Sequence, residues 1–125
     1  MKRQAFIKLV EQALDNLPEE FLARLENIEV SVEDFATAEQ LQGDDRLDLL
    51  GLYEGIPLTE RDRGYNLVMP DRITIFQKPI EAICANDVEI VREIGETVRH
   101  EIAHFFGISD ERLDEMDAER GTEKL

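Results

Sequence analysis

His100 and His104 are the two histidines of the chain. On an α-helix they stand one turn apart on the same face, so both imidazoles can close on a single ion, and that pair suits zinc. Glu101 lies about 100° further round the helix than His100. There its carboxylate reaches a water near the ion but is poorly aimed to ligate it, which is the placement of a general base. Gly107 follows where a helix that must end and turn back can use a left-handed residue without a Cβ clash. The turn would bring Asp110 back toward the imidazoles. A catalytic zinc usually takes three protein ligands and keeps one position open; His100, His104 and Asp110 supply two nitrogens and a carboxylate. The chemistry expected of this set is metal-assisted hydrolysis, with zinc polarising a carbonyl and acidifying water while Glu101 passes the proton to the leaving group.

Each residue also has a plainer reading. An H-E-x-x-H pattern can arise by chance on an exposed helix, and Ser109-Asp110-Glu111 ahead of Leu113 is an ordinary way to begin another helix, with Asp110 as its cap. Thr97, one turn before Glu101, could steady the site or simply pack. Tyr53 and Tyr65 could donate a hydrogen bond to an oxyanion, or be half-buried strand residues. Two other classes of function therefore stay open: a zinc-stabilised peptide-binding module with little or no turnover, and a metal-free acidic scaffold.

The elements that must position these residues follow from periodicity. Val91, Ile94, Val98, Ile102 and Phe105 recur at helical steps and predict one long helix, Val88 to Phe106, capped by Asn86-Asp87 and buried along one flank. Phe6, Val10, Ala13, Leu14 and Leu17 predict an amphipathic helix over residues 3–16, ended by Pro18. Phe21, Leu22 and Leu25 suggest a short helical stretch after it. Ile28, Val30 and Val32 alternate with polar residues, as in a half-buried strand. Residues 36–50 are mixed, anchored by Leu41, Leu47, Leu49 and Leu50 with a turn at Gly43-Asp44-Asp45, and Gly51 to Gly55 reads as a brief strand. Thr59 to Gly64 reads as a polar loop. Tyr65 to Met69 and Arg72 to Gln77, separated by Pro70-Asp71, read as a hairpin, one strand of which would form a sheet edge where an extended peptide could add. Pro79 begins a helical stretch through Cys84.

The balance of charge narrows the partners. The chain has 125 residues with 14 Lys and Arg against 29 Asp and Glu, a formal charge of −15. Phosphate-backbone binding needs basic side chains, so nucleic acid is not an expected partner. A hydrophobic content of 42% supports one globular domain, placed at residues 1–116 with a polar tail over 117–125. With Cys84 as the only cysteine, no internal disulfide forms and nothing indicates an oxidising compartment. The apolar segment after Lys2 and Arg3 is broken by Lys8 and Glu11, so it reads as neither a signal peptide nor a membrane span, and a cytoplasmic protein is expected.

Taken together, His100-Glu101-Ile102-Ala103-His104-Phe105-Phe106-Gly107-Ile108-Ser109-Asp110-Glu111-Arg112-Leu113, Gly51-Leu52-Tyr53-Glu54-Gly55-Ile56-Pro57-Leu58 and Pro70-Asp71-Arg72-Ile73-Thr74-Ile75-Phe76 resemble the small bacterial zincin-like metallopeptidase family. The resemblance covers nearly the whole chain, from the first helix to Leu113. It implies an α+β fold, a minimal zincin in which a small mixed β-sheet packs against an N-terminal helix and a long active-site helix. It also implies zinc on His100, His104 and Asp110, Glu101 as base, and a peptide or protein substrate. The wider metzincin group usually has a third histidine and a methionine turn; here Asp110 stands at the third position and Met116 follows too closely for that turn. A glutamate ligand would have to come from Glu119 or Glu123 in the tail, which favours Asp110.

Overall fold

Ile73, Thr74, Ile75 and Phe76 are buried in succession, a run that suits a strand covered on both faces rather than one with a wet side. In the computed structural model this strand is the middle of the sheet. The structure describes residues 1–23, 25, 28–41, 49–55, 71–108, 111, 112 and 115. Along the chain come α1 (Arg3–Asp15), α2 (Glu19–Leu22), β1 (Ile28–Glu33), α3 (Ala38–Leu41), β2 (Gly51–Glu54), β3 (Asp71–Phe76), α4 (Gln77–Ile83) and α5 (Asp87–Phe105). Among the described residues the sheet has the order β1-β3-β2. β1 runs parallel to β3 with Ile28 opposite Asp71 and Glu33 opposite Phe76. β2 is antiparallel to β3, with Gly51 opposite Ile75 and Glu54 opposite Arg72. This is the expected α+β architecture: a small mixed sheet with α1 and α5 packed together and α5 laid on β2 and β3.

The expected hairpin is not the pairing of β3. Its first run, Tyr65 to Met69, lies outside the described residues, as do Gly43-Asp44-Asp45, Leu47, the Thr59 to Gly64 loop, Leu113, Met116 and the tail 117–125. Its second run is β3, and β1 and β2 already occupy the two edges of Arg72–Ile75. A strand can make only two ladders, so β3 offers no edge to a peptide either. Among the described residues, the edge beside the active-site helix belongs to β2.

Phe6, Val10 and Leu17 of α1 and its exit meet Ile90, Ile94, Val98 and Ile102 of α5 over Ile73, Ile75 and Ile80. Ile94 is wholly buried, so truncating it to alanine would cost about 2–5 kcal/mol. The predicted stripe on α5 is right except at its start. Val91 stays 48% exposed while Ile90 is 6% exposed, because Val91 lines a shallow groove between α1 and α5 with Leu9, Gln12 and Gly95. Arg3 secures the other end of α1 by donating to the Val32 carbonyl at 2.7 Å and pairing with Asp34. Thr37 and Gln40 cap each other's main-chain N–H groups, at 3.0 and 2.9 Å, to start α3. Pro18 stands immediately before α2, α4 begins at Gln77, two residues earlier than expected, and Cys84 lies just past its end in an extended conformation. Among the described residues no helix is long and apolar enough to cross a membrane.

Candidate metal centre

α5 is held at both ends by features legible in the sequence. Asn86 accepts the Glu89 N–H at 3.0 Å, satisfying a first-turn donor. Phe106 closes the helix, and Gly107 adopts φ +74. The Gly107 N–H donates to the His104 carbonyl at 3.0 Å and the Ile108 N–H to the Ala103 carbonyl at 2.9 Å, the two bonds of a Schellman stop. The chain thus leaves the helix where the sequence requires a turn. Asp110 and Tyr65 lie outside the described residues.

His100 and His104 meet edge to face along one flank, with ring centroids 4.5 Å apart and planes inclined by 66°. Both are partly exposed, whereas Glu101 is 6% exposed. His104 donates through Nδ1 to Glu101 Oε1 at 3.3 Å, and the main-chain N–H of Tyr53 donates to the same carboxylate. Burial pushes the Glu101 carboxyl above the usual carboxylate range. The adjacent His104 and His100, with the hydrogen bonds from His104 and Tyr53, pull the other way without cancelling it.

Close approach of α5 to the sheet is what buries Glu101. A Cβ on Gly51 would fall 2.7 Å from Thr97 Cγ2 and 3.2 Å from Glu101 Cγ, so only glycine lets the helix sit this near β2. Thr97, 6% exposed, is therefore a packing contact between helix and strand as well as a wall of the cleft. The Tyr53 ring meets Phe105 edge-on at 6.0 Å, and its hydroxyl is buried beside Gly55 and the Asp71 carboxylate. A cleft of about 340 Å³ opens over the site, lined by Leu49, Leu50, Gly51, Thr97, His100 and Glu101. Glu93 and Glu96 complete its wall. Burial and the neighbouring Glu96 push the Glu93 carboxyl up.

His100, Glu101 and His104 each offer one ligand atom, all within 4.8 Å of one another. Zinc binds imidazole nitrogen at about 2.0–2.1 Å and carboxylate oxygen at a similar distance, so the two imidazoles can close on one ion with the Glu101 carboxylate beside it, and a further carboxylate would complete the set. Two imidazoles and a carboxylate are a donor set zinc accepts, and the residues fit the metal.

Sequence reasoning brought the two histidines and Glu101 together, and the structure places them as one group. It missed Gly51 as a spacer, the Tyr53 main chain as a partner of Glu101, and Glu93 and Glu96 as cleft walls. The acidic pair had a signal: Glu96 and Glu93 precede His100 by four and seven residues, spacings that share a helix flank. A glycine inside a strand was the signal for close approach.

Comparison with known proteins bears on the same residues. The family model described as zincin-like metallopeptidase matches residues 25–120. A conserved hypothetical protein from Thermo thermophilus has a similar fold, with a TM-score of 0.51 and 24% sequence identity over 82% of this chain and 92% of that one. At that identity the likeness concerns the fold alone. No curated protein matches.

Proposed function

The chain belongs to the zincin-like metallopeptidase family, and from that premise we propose that it hydrolyses peptide bonds with Glu101 as general base. The observation that carries this reading is the His100, Glu101 and His104 group, with its glutamate buried and oriented at the floor of a cleft. His100, His104 and Asp110 would hold the metal. A zinc ion there supplies Lewis acidity toward a carbonyl oxygen and makes a nearby water easier to deprotonate. Glu101 belongs to the same donor group as the histidines, yet its carboxylate is already engaged by His104 and by Tyr53 N–H. Burial raises the carboxyl while those hydrogen bonds favour its charged form, which suits a base held in place rather than a ligand: it accepts a proton from water and returns it to the leaving amine.

The substrate is a peptide or protein segment in extended form. Among the described residues no strand pairs with the outer side of β2, and Gly51 opens onto the cleft from that strand, so an extended peptide would pair at Gly51, the Tyr53 N–H being taken by Glu101. The Tyr53 hydroxyl is buried away from solvent, so its main chain, and not its phenol, serves Glu101.

The test pairs a zinc titration with digestion of a peptide library by wild type and Glu101→Gln. Both proteins bind one zinc and only wild type cleaves. Cleavage by Glu101→Gln at the wild-type rate removes the proposed base; zinc binding with no cleavage by either protein identifies a peptide-binding module instead.

A further inference from the structure

The antiparallel ladder decides which way each main-chain group of β2 points. Phe76 N–H donates to the Leu50 carbonyl at 2.9 Å, so position 50 faces β3 with both polar groups. With Gly51 opposite Ile75 and Tyr53 opposite Ile73, hydrogen-bonded and non-hydrogen-bonded pairs alternate, and Tyr53 turns its N–H away from the sheet. An outward N–H on an edge strand would ordinarily go to water. Here it goes to Glu101, 6% exposed at the floor of the cleft. The other grip on that carboxylate, His104 Nδ1 at 3.3 Å, comes from a side chain on the same helix.

We propose that the outward-facing main-chain N–H of Tyr53 is the positioning donor that aims the Glu101 carboxylate into the cleft, so that β2 orients the base of the active-site helix. This rests on Glu101 being the base. A main-chain donor has no rotamers of its own, and the strand that carries it is fixed twice, by the ladder to β3 and by the edge-on contact of the Tyr53 ring with Phe105. The carboxylate is thereby tied to the sheet, and its direction survives small motions of the two imidazoles. Sequence conceals this role, because any residue but proline at position 53 supplies the same N–H.

Replacing Tyr53 by its α-hydroxy acid analogue turns the amide into an ester, deleting the N–H while keeping the phenol ring. It also weakens the Leu52 carbonyl as an acceptor, so the substitution is made with Glu101 present and in the Glu101→Ala background, where that common effect cancels. In zinc-free protein the ester lowers Tm by about 5 °C with Glu101 present, the scale of a lost charge-assisted hydrogen bond, and by no more than about 1 °C extra in the Glu101→Ala background relative to its own amide. In zinc-loaded protein it lowers kcat by roughly 10- to 100-fold with KM and zinc affinity unchanged, as expected when a base is misaimed. Equal Tm losses in both backgrounds, or an unchanged kcat, overturn the proposal. The companion Glu101→Gln protein separates the two ideas: if it retains turnover the general-base reading fails, while the Tm coupling still reports whether Tyr53 N–H holds the carboxylate.

Discussion

Gly51→Ala tests how closely α5 must sit on β2 for the site to exist. The added Cβ would stand 2.7 Å from Thr97 Cγ2, 3.2 Å from Glu101 Cγ and 3.4 Å from the Thr74 carbonyl oxygen. Ordinary contact begins near 3.4 Å, so the Thr97 methyl must retreat by about 0.7 Å and the Glu101 stem by about 0.2 Å. Thr97 is β-branched and buried, with few rotamers to choose from in a helix, so the helix itself moves. Overpacking of this kind costs about 1–3 kcal/mol, which for a chain of this size is a Tm loss of roughly 5–10 °C. A base displaced by a fraction of an ångström loses roughly 10- to 100-fold in turnover. Thermal unfolding, zinc titration and peptide turnover would be measured for Gly51→Ala, Thr97→Ser and the double variant. Thr97→Ser removes the clashing methyl and keeps the hydroxyl, so the double variant recovers most of the Tm and the rate. A Gly51→Ala protein with wild-type Tm and turnover, or a double variant with no recovery, would refute the close-packing argument.

Three other outcomes are expected. Zinc at about 100 times its Kd stabilises wild type by about 2.7 kcal/mol; calorimetry of His100→Ala shows this shift abolished, and Asp110→Ala weakens zinc binding by more than the roughly 10- to 100-fold typical of an outer partner. In chelator, Glu101 makes stability depend on pH. Its carboxyl is raised in the folded protein, so the native state holds the proton longer than the unfolded chain. The stability it lends is therefore complete below the ordinary carboxylate value and is lost as pH rises through the raised one. The Tm of Glu101→Gln minus that of wild type should climb across that window and then level off; Glu93, also raised, is common to both proteins and cancels. Glu93 and Glu96 wall the cleft, so Glu93→Gln with Glu96→Gln raises KM for lysine-bearing peptides by about fivefold relative to glutamate-bearing ones. That effect shrinks at about 1 M salt, and an unchanged ratio would show that these carboxylates do not face substrate.

Much of the site was readable because its geometry is local. His100 and His104 are brought together by one turn of one helix, Asn86 and Gly107 mark that helix's ends, and each depends on residues within a few positions of itself. The order of the strands was not readable. A run such as Arg72 to Gln77 carries the marks of a strand but no label for its neighbours, and parallel pairing with Ile28–Glu33 joins segments far apart in the chain. The exposed Val91 shows the same limit, since its place on the stripe follows from periodicity while its burial depends on where α1 lies.

By itself, then, the sequence determined the donor chemistry: two imidazoles and a glutamate at helical spacing, on a helix that must stop at a glycine. Only the tertiary structure decided the surroundings of that glutamate. Glu101 is buried, carries a raised carboxyl and receives the Tyr53 N–H because β2, distant in sequence, passes within touching distance of α5 at a residue with no side chain. Such a contact depends on a through-space distance that no local pattern encodes.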